Sequence, residues 1–206
     1  MTGQGALPPE LNVSRETSGR LARFAGLLEK WNPRINLVSR NSLADLWTRH
    51  IVDSVQVFRC VAPAGHWVDL GSGGGFPGLI VAILAAEEAP DLRVTLIESD
   101  QRKAAFLRAA AREAGADCAV LSKRIEAVAP QQADILSARA LADLDGLLGF
   151  AERHLNPTGV ALFPKGVTWQ KEVEAARQSW KFRAQPITSI TDPAAVILKI
   201  EGVSRG

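Results

Sequence analysis

The sequence predicts an α/β fold: a mostly parallel sheet of seven strands ending in a C-terminal β-hairpin and preceded by N-terminal helices. Three observations carry this. From His66 onward, short apolar runs alternate with helical segments. A glycine-dense loop, Gly71–Gly78, joins the first run to an apolar helix. The last two runs follow each other with no helix between them. Strand–helix alternation calls for right-handed βαβ units and a parallel sheet. Two consecutive strands call for an antiparallel hairpin at its edge.

Residues 1–9, with Pro8 and Pro9, read as a loose leader. Leu21, Phe24, Ala25, Leu28 and Trp31 recur on one helical face, and Asn32-Pro33 is expected to end that helix. A second helix is expected over about residues 42–60, with Ser42 as N-cap and Asp45 at the third helical position. Its apolar positions are Leu46, Trp47, Ile51, Val55 and Phe58, and Pro63-Ala64-Gly65 marks the boundary that follows. The predicted strands are 66–70, 93–97, 118–121, 134–138, 160–164, 182–187 and 195–201. Helices are expected over 77–87, 101–114 with Gly115 as C-cap, 141–154 and 169–180, and a turn at Asp192-Pro193 joins the final strands.

A chain of 206 residues suits one domain of ordinary size with an N-terminal extension, divided here at 1–64 and 65–206. Apolar content of 47% indicates a well-buried core in a soluble protein. With 24 basic and 22 acidic residues, charge alone does not announce nucleic acid. Residues 1–50 hold seven basic against four acidic residues, a mild local excess. Cys60 and Cys118 are isolated, which suits a reducing compartment. His50, His66 and His154 form no ligand pair, so no metal site is expected. No secretory signal is legible at the N-terminus, and the run Leu79–Ala86 is too short to cross a bilayer. A cytoplasmic monomer with no membrane partner is expected.

The loop VDLGSGGGFPG (68–78) fits two fingerprints with the same glycines. Gly73 to Gly78 matches the dinucleotide pattern G-x-G-x-x-G, and Asp69 to Gly75 matches the D-x-G-x-G-x-G loop of S-adenosylmethionine (SAM) enzymes. Glu98 ends the second strand 20 residues after Gly78, where its carboxylate can accept hydrogen bonds from both ribose hydroxyls of an adenosine. Three features favour SAM. Asp69 lies just ahead of the loop, placed to anchor loop amides or reach a cofactor ammonium. A C-terminal hairpin is usual in SAM-dependent methyltransferase domains and unusual in dinucleotide domains. No separate substrate domain supplies a hydride acceptor.

Several motifs occur in order: KWNPRINLVS (30–39), RHIVDS (49–54), VDLGSGGGFPG (68–78), ESDQRKAAFLR (98–108), SKRIE (122–126), ARA (138–140) and PKG (164–166). On these the chain resembles the RsmG (GidB) family of bacterial methyltransferases from about Leu21 onward. The resemblance implies a Rossmann-like class I SAM-methyltransferase fold over residues 65–206. It also implies methylation at N7 of one guanosine in the 530 loop of 16S ribosomal RNA. Two positions depart from the family pattern: Ala138, with Ser137 one place earlier, where Ser is frequent, and Glu98 where Asp is frequent.

Gly71, Ser72, Gly73 and Phe76 are the loop positions expected against SAM, and the resemblance implies backbone contacts from Gly71 and Phe76. Ile125 and Glu126, just past the third strand, are expected at the adenine. Glu126 taken alone also reads as an exposed carboxylate at a helix start. Arg139 follows the fourth strand, and the resemblance sets it at the junction of cofactor and substrate, with an orienting and electrostatic role. Arg49, His50, Arg124 and Lys165 are the expected RNA contacts: Lys165 through a phosphate, and His50 with Arg49 by stacking or hydrogen bonding. A helix-packing His50 and a solvated Arg124 stay open, and Trp31 and Trp47 fit helix cores.

Guanine N7 carries a lone pair and no proton, so in-line attack on a methyl group needs no general base. The sequence offers no evident His–Asp dyad or paired carboxylates. A nearly neutral chain is poorly equipped to remodel free RNA by electrostatics. The expected partner is therefore 16S ribosomal RNA within the small subunit or an assembly intermediate. Rival readings are a SAM methyltransferase with another acceptor, an NAD(P)-dependent oxidoreductase, and a non-catalytic SAM-sensing module.

Overall fold

A computed structural model describes residues 7–206. Most of the predicted leader lies outside the described residues, and Pro9–Leu11 forms a single 3₁₀ turn. At the centre is β1 (His66–Leu70), five residues buried on both faces. Alternate side chains enter two different cores. Trp67 faces one apolar cluster, and Val68 and Leu70 face the other.

Around β1 the sheet runs β3-β2-β1-β4-β5-β7-β6. Its parallel members are β2 (Arg93–Ile97), β3 (Ala119–Leu121), β4 (Ala133–Ala138) and β5 (Leu155–Lys165). The closing hairpin comprises β6 (Trp180–Thr188) and β7 (Val196–Arg205), and β7 inserts antiparallel between β5 and β6. The insertion follows burial: β7 opens with three buried apolar residues, whereas β6 is mostly exposed and carries Pro186, which an edge strand tolerates. β1 pairs with β2 on one side and β4 on the other, so the strand order reverses there and a crevice opens at its carboxyl end.

α4 (Gly78–Glu88) leaves the loop after β1 and is buried from Gly78 through Ala85. Beside it lies α5 (Gln101–Ala114), whose N-cap Asp100 accepts from the Arg102 and Lys103 amides. Its C-cap is Gly115, at φ +64°, as predicted. α1 (Arg15–Ile35) packs its apolar stripe on α4 and α5. Phe24 meets Phe76 edge-on at 5.4 Å, and Trp31 lies 5.7 Å from Phe106. Arg20 and Arg23 donate to the Gly115 and Glu113 carbonyls, occupying acceptors at the end of α5.

Several boundaries differ from the sequence reading. α1 runs past Asn32-Pro33 to Ile35, because a proline near a helix end removes only one donor and left-handed Asn36 then caps the helix. The expected helix over 42–60 is broken. α2 (Arg40–Leu43) is one turn, capped by Ser39, whose Oγ accepts the Ser42 amide. Ser42 is thus the capped residue, not the cap. A π-helical turn, Trp47–Val52, then leads into α3 (Asp53–Arg59). α6 (Leu144–His154) starts three residues later than expected, at an Asp143 cap, leaving 139–143 as a loop. α7 (Trp169–Ala176) stops early, and Trp180 opens β6.

Gly78 stands where α4 starts against β1 and β2. A Cβ there would lie 2.5 Å from both Asp69 Cβ and Leu96 Cδ2. Gly78→Ala is expected to destabilise the fold by about 1–3 kcal/mol through overpacking. Urea unfolding reads this as a lower midpoint at unchanged slope, and an unaltered midpoint would contradict the packing described.

Candidate active site

The loop after β1 is held from several sides. Gly71, Gly73 and Gly75 adopt φ of +64°, +51° and +95°, a region other residues rarely enter. The Ser72 amide donates to the Ile97 carbonyl at 3.1 Å, and the Gly75 amide to the Ser72 carbonyl at 2.7 Å. Glu98, only 8% exposed, ties the loop to β2. Its Oε2 accepts from the Gly73 amide at 2.8 Å and its Oε1 from the Asp100 amide at 2.7 Å.

Beneath the loop Asp69 is fully buried. Its Oδ1 accepts from the Ser137 hydroxyl at 2.6 Å, and Ser137 Oγ accepts from Trp67 Nε1 at 2.9 Å. The Ser72 hydroxyl donates to the Asp69 carbonyl at 3.2 Å. Burial pushes the Asp69 carboxyl up to about 6, against the opposing pull of its hydrogen bonds.

A cleft of about 420 Å³ opens above the loop, lined by Gly71, Gly73, Glu98, Ile125, Glu126 and Leu141 among others. Ile97, Ile125, Leu141 and Phe150 supply apolar surface, while Lys103, Lys123 and Arg124 stand around it. This shape fits an adenosine-bearing cofactor. A Cβ on Gly73 would meet only the Gly71 carbonyl at 3.6 Å, so that stretch of backbone is bare. Each Glu98 oxygen accepts one amide and keeps acceptor capacity for a ribose hydroxyl.

Behind the loop a second group forms. The π-helical turn sets the His50 ring against Phe76 at 4.9 Å, nearly parallel. The Arg139 guanidinium lies over the same Phe76 ring at 5.0 Å and donates to the Arg49 carbonyl at 3.3 Å. Neither ring nitrogen of His50 has a hydrogen-bond partner. Burial, with Arg139 and Arg49 nearby, brings its pKa down to about 4. Burial also lowers the Arg139 pKa, opposed by Asp53 and Asp69.

Gly71, Gly73, Glu98, Ile125 and Glu126 are brought together in the cleft as expected, and Arg124 stands at the cleft as well. Asp69, Ser72 and Phe76 are buried, and the Asp69 side chain supports the loop from below instead of reaching into the cleft. Arg139 is not among the cleft-lining residues; its guanidinium lies over Phe76. Lys165 requires a correction. Its side chain is only 8% exposed and its ammonium binds Glu172 at 2.8 Å and the Ala142 carbonyl at 3.1 Å, so it clamps the loop after β4 and is not free for a phosphate. Leu141, Lys103 and Lys123 were missed as cleft residues. Leu141 had one signal, a large apolar residue on the loop after β4.

A seven-stranded sheet of this order, with the glycine loop and Glu98 at the switch point, defines a SAM-dependent methyltransferase. Solved structures agree on the fold. A TehB-like SAM-dependent methyltransferase from Corynebacterium glutamicum matches with a TM-score of 0.58 at 13% identity, over 88% of this chain and 99% of that one. A ribosomal protein L11 methylase from Lactobacillus delbrueckii matches with a TM-score of 0.58 at 20% identity, over 76% and 78%. The chain belongs to the GidB family, rRNA small subunit methyltransferase G, whose model matches residues 18–195. Proteins called ribosomal RNA small subunit methyltransferase G from Ruegeria sp. (strain TM1040) and Ruegeria pomeroyi are 63% and 65% identical. The first alignment covers 98% of both chains, the second 95% of this chain and 96% of the relative. The NAD(P) reading is thereby set aside.

Asp69 gives the site a pH signature. Folded, it keeps its proton to about pH 6; unfolded, it ionises near 3.8. Between these values the folded state binds more protons than the unfolded state, so the stability it contributes declines as pH rises. Asp69→Asn removes that decline. Relative to wild type, the variant is expected to gain about 3 kcal/mol between about pH 3.5 and pH 6.5, at ~1.36 kcal/mol per unit. Urea titrations across that range check it, and a difference independent of pH would refute the assignment.

Proposed function

We propose that the methyl acceptor is N7 of one guanosine in the 530 loop of 16S ribosomal RNA, presented within the small subunit or an assembly intermediate. The observation that carries this is the group on the loop after β4. Arg139, a cation that does not give up its proton, stands between the cofactor loop and the Arg49–His50 turn. Methylation of an amine or hydroxyl requires that a proton be removed, whereas N7 has none. The names of the relatives, small subunit ribosomal RNA methyltransferases, support the substrate class.

In this reading Gly73 holds SAM along bare backbone beside Gly71, against which Leu141 packs, Glu98 takes the ribose hydroxyls, and Ile125 with Glu126 takes the adenine. Asp69, Ser72 and Phe76 keep the loop in shape. SAM supplies an electrophilic methyl group on a sulfonium. The residues of the chain supply position, which in favourable cases is worth about 7–11 kcal/mol. Directly over the reacting ring, Arg139 would repel the positive charge arriving on the purine; it acts instead at O6, a phosphate or the cofactor carboxylate. His50, neutral at neutral pH because of its depressed pKa, adds no second positive charge there. Arg49 and Arg124, both exposed, suit phosphates, which position RNA without reading its sequence. A monomer acting in the cytoplasm, where ribosomal RNA is assembled, completes this reading. Among the described residues no helix is long and apolar enough to cross a membrane.

Incubation with methyl-labelled SAM and small subunits lacking the modification is expected to yield labelled 7-methylguanosine at one position. Label in any other nucleoside overturns the N7 assignment. Arg139→Ala is expected to lower single-turnover rates about 100-fold by misplacing the acceptor, without creating a pH-dependent step. The appearance of an acid–base pKa assignable to one side chain in those rates would contradict the mechanism.

A further inference from the structure

A second cavity, of about 390 Å³, lies beside the cofactor cleft, with Arg49, Asp53, Pro164, Lys165, Thr191 and Pro193 among its walls. Pockets for small ligands span ~300–1,000 Å³. Two hydrogen bonds connect it to the loop after β4. Arg139 donates to the carbonyl of Arg49, and Lys165 donates to the carbonyl of Ala142, which itself lines the cleft. Two walls of this cavity, Arg49 and Lys165, are thus bonded to the loop after β4, whose Leu141 and Ala142 line the cofactor cleft.

The cavity carries a particular chemistry. Pro164 and Pro193 offer apolar surface of the kind that flanks an unstacked base. Lys165 is committed to Glu172. Asp53, half-buried at the start of α3, accepts from the Thr191 hydroxyl through Oδ1, and the Ser189 hydroxyl also hydrogen-bonds to its carboxylate. An ionised carboxylate is acceptor-only and has about four lone-pair sites, so two hydroxyls leave part of that capacity unused.

We propose that this cavity receives the target base and that Asp53 reads its Watson–Crick edge, accepting hydrogen bonds from guanine N1–H and the 2-amino group. The proposal rests on the RNA reading above and names the residue that makes it specific for guanine. Adenine presents an acceptor at N1 and has no 2-amino group, so it meets Asp53 lone pair to lone pair. N7 lies across the purine from N1 and the 2-amino group. A base held by Asp53 therefore turns N7 away from α3, toward the loop after β4, part of which lines the cofactor cleft.

A purely structural Asp53 would serve only to hold residues 188–191 on α3. Gln56 already does this, donating to the Thr188 carbonyl at 2.8 Å and accepting from the Ile190 amide at 3.1 Å. Asparagine at position 53 can still accept from Thr191.

Small subunits reconstituted with guanosine or with inosine at the target test the assignment, since inosine lacks only the 2-amino group. For the wild type, kcat/KM is expected to fall about 10- to 100-fold from guanosine to inosine, the usual effect of one hydrogen bond to a charged group. In Asp53→Asn the guanosine rate drops and the guanosine-to-inosine ratio collapses toward unity. In Gln56→Ala, which loosens the same segment and removes a cavity wall whose amide is already spent on Thr188 and Ile190, both rates change together and the ratio stays at the wild-type value. A wild-type ratio near unity, or an Asp53→Asn ratio equal to wild type, overturns the proposal. Failure of the wild type to methylate guanosine subunits at all is a distinct outcome, which overturns the RNA reading on which it rests.

Discussion

The site depends on one carboxylate that never meets water. Asp69, the penultimate residue of the central strand, lies directly opposite Ser137 on β4, and the chain from Trp67 Nε1 through Ser137 Oγ to Asp69 Oδ1 bridges β1 and β4 where the strand order reverses. Desolvation of that carboxylate is unfavourable. It is offset by the Ser137 bond and by position, since Asp69 Oδ2 faces Gly78, the first residue of α4, where the helix end favours negative charge. The loop then has one way to leave β1: over Asp69, through three left-handed glycines and into α4. Glu98 fastens it from β2, so the group suited to the ribose also shapes the loop beside it.

The loop after β4 is held just as firmly, by different means. Ala140 sits at φ +51°, unusual for a residue with a Cβ, and persists because its neighbours are pinned. Arg139 is fixed to the π-helical turn, and Ala142 to Lys165, whose own charge is matched by Glu172. A nearly buried ion pair gains little net stability. Its effect here is to fix a short stretch of backbone between two cavities. Methyl transfer needs such fixing, since the chemistry supplies no proton transfer for the protein to assist.

The sheet was legible because alternation and burial are local properties: β1 to β5 appear in the predicted order, and the final hairpin follows from two strands without a helix. The glycine loop, Glu98 and Ile125 were legible because strand ends and spacing place them. Lys165 was not. Its partners are a carboxylate one turn into α7 and a carbonyl from another loop, and nothing in P-K-G foretells either. His50 was legible only as an alternative, because its orientation depends on a π-helical turn where the sequence suggested an unbroken helix. Asp53 sat inside a quoted motif without a role, since a carboxylate on a helix reads as solvated until a cavity appears beside it. Pro33 and Trp180 were misjudged at boundaries, where the last turn of a helix and the first residue of a strand depend on what packs against them.

Phe76 is the point at which two parts of the chain become inseparable. It belongs to the glycine loop, yet Phe24 of α1 meets its edge and His50 of the π-helical turn covers a face. The helices before the sheet therefore form part of the floor of the site and are not an interchangeable accessory. Grafting them onto another sheet of the same topology would transfer the helices without the ring they close upon. A substitution at Phe76 alters the packing of Phe24 and of His50 at once.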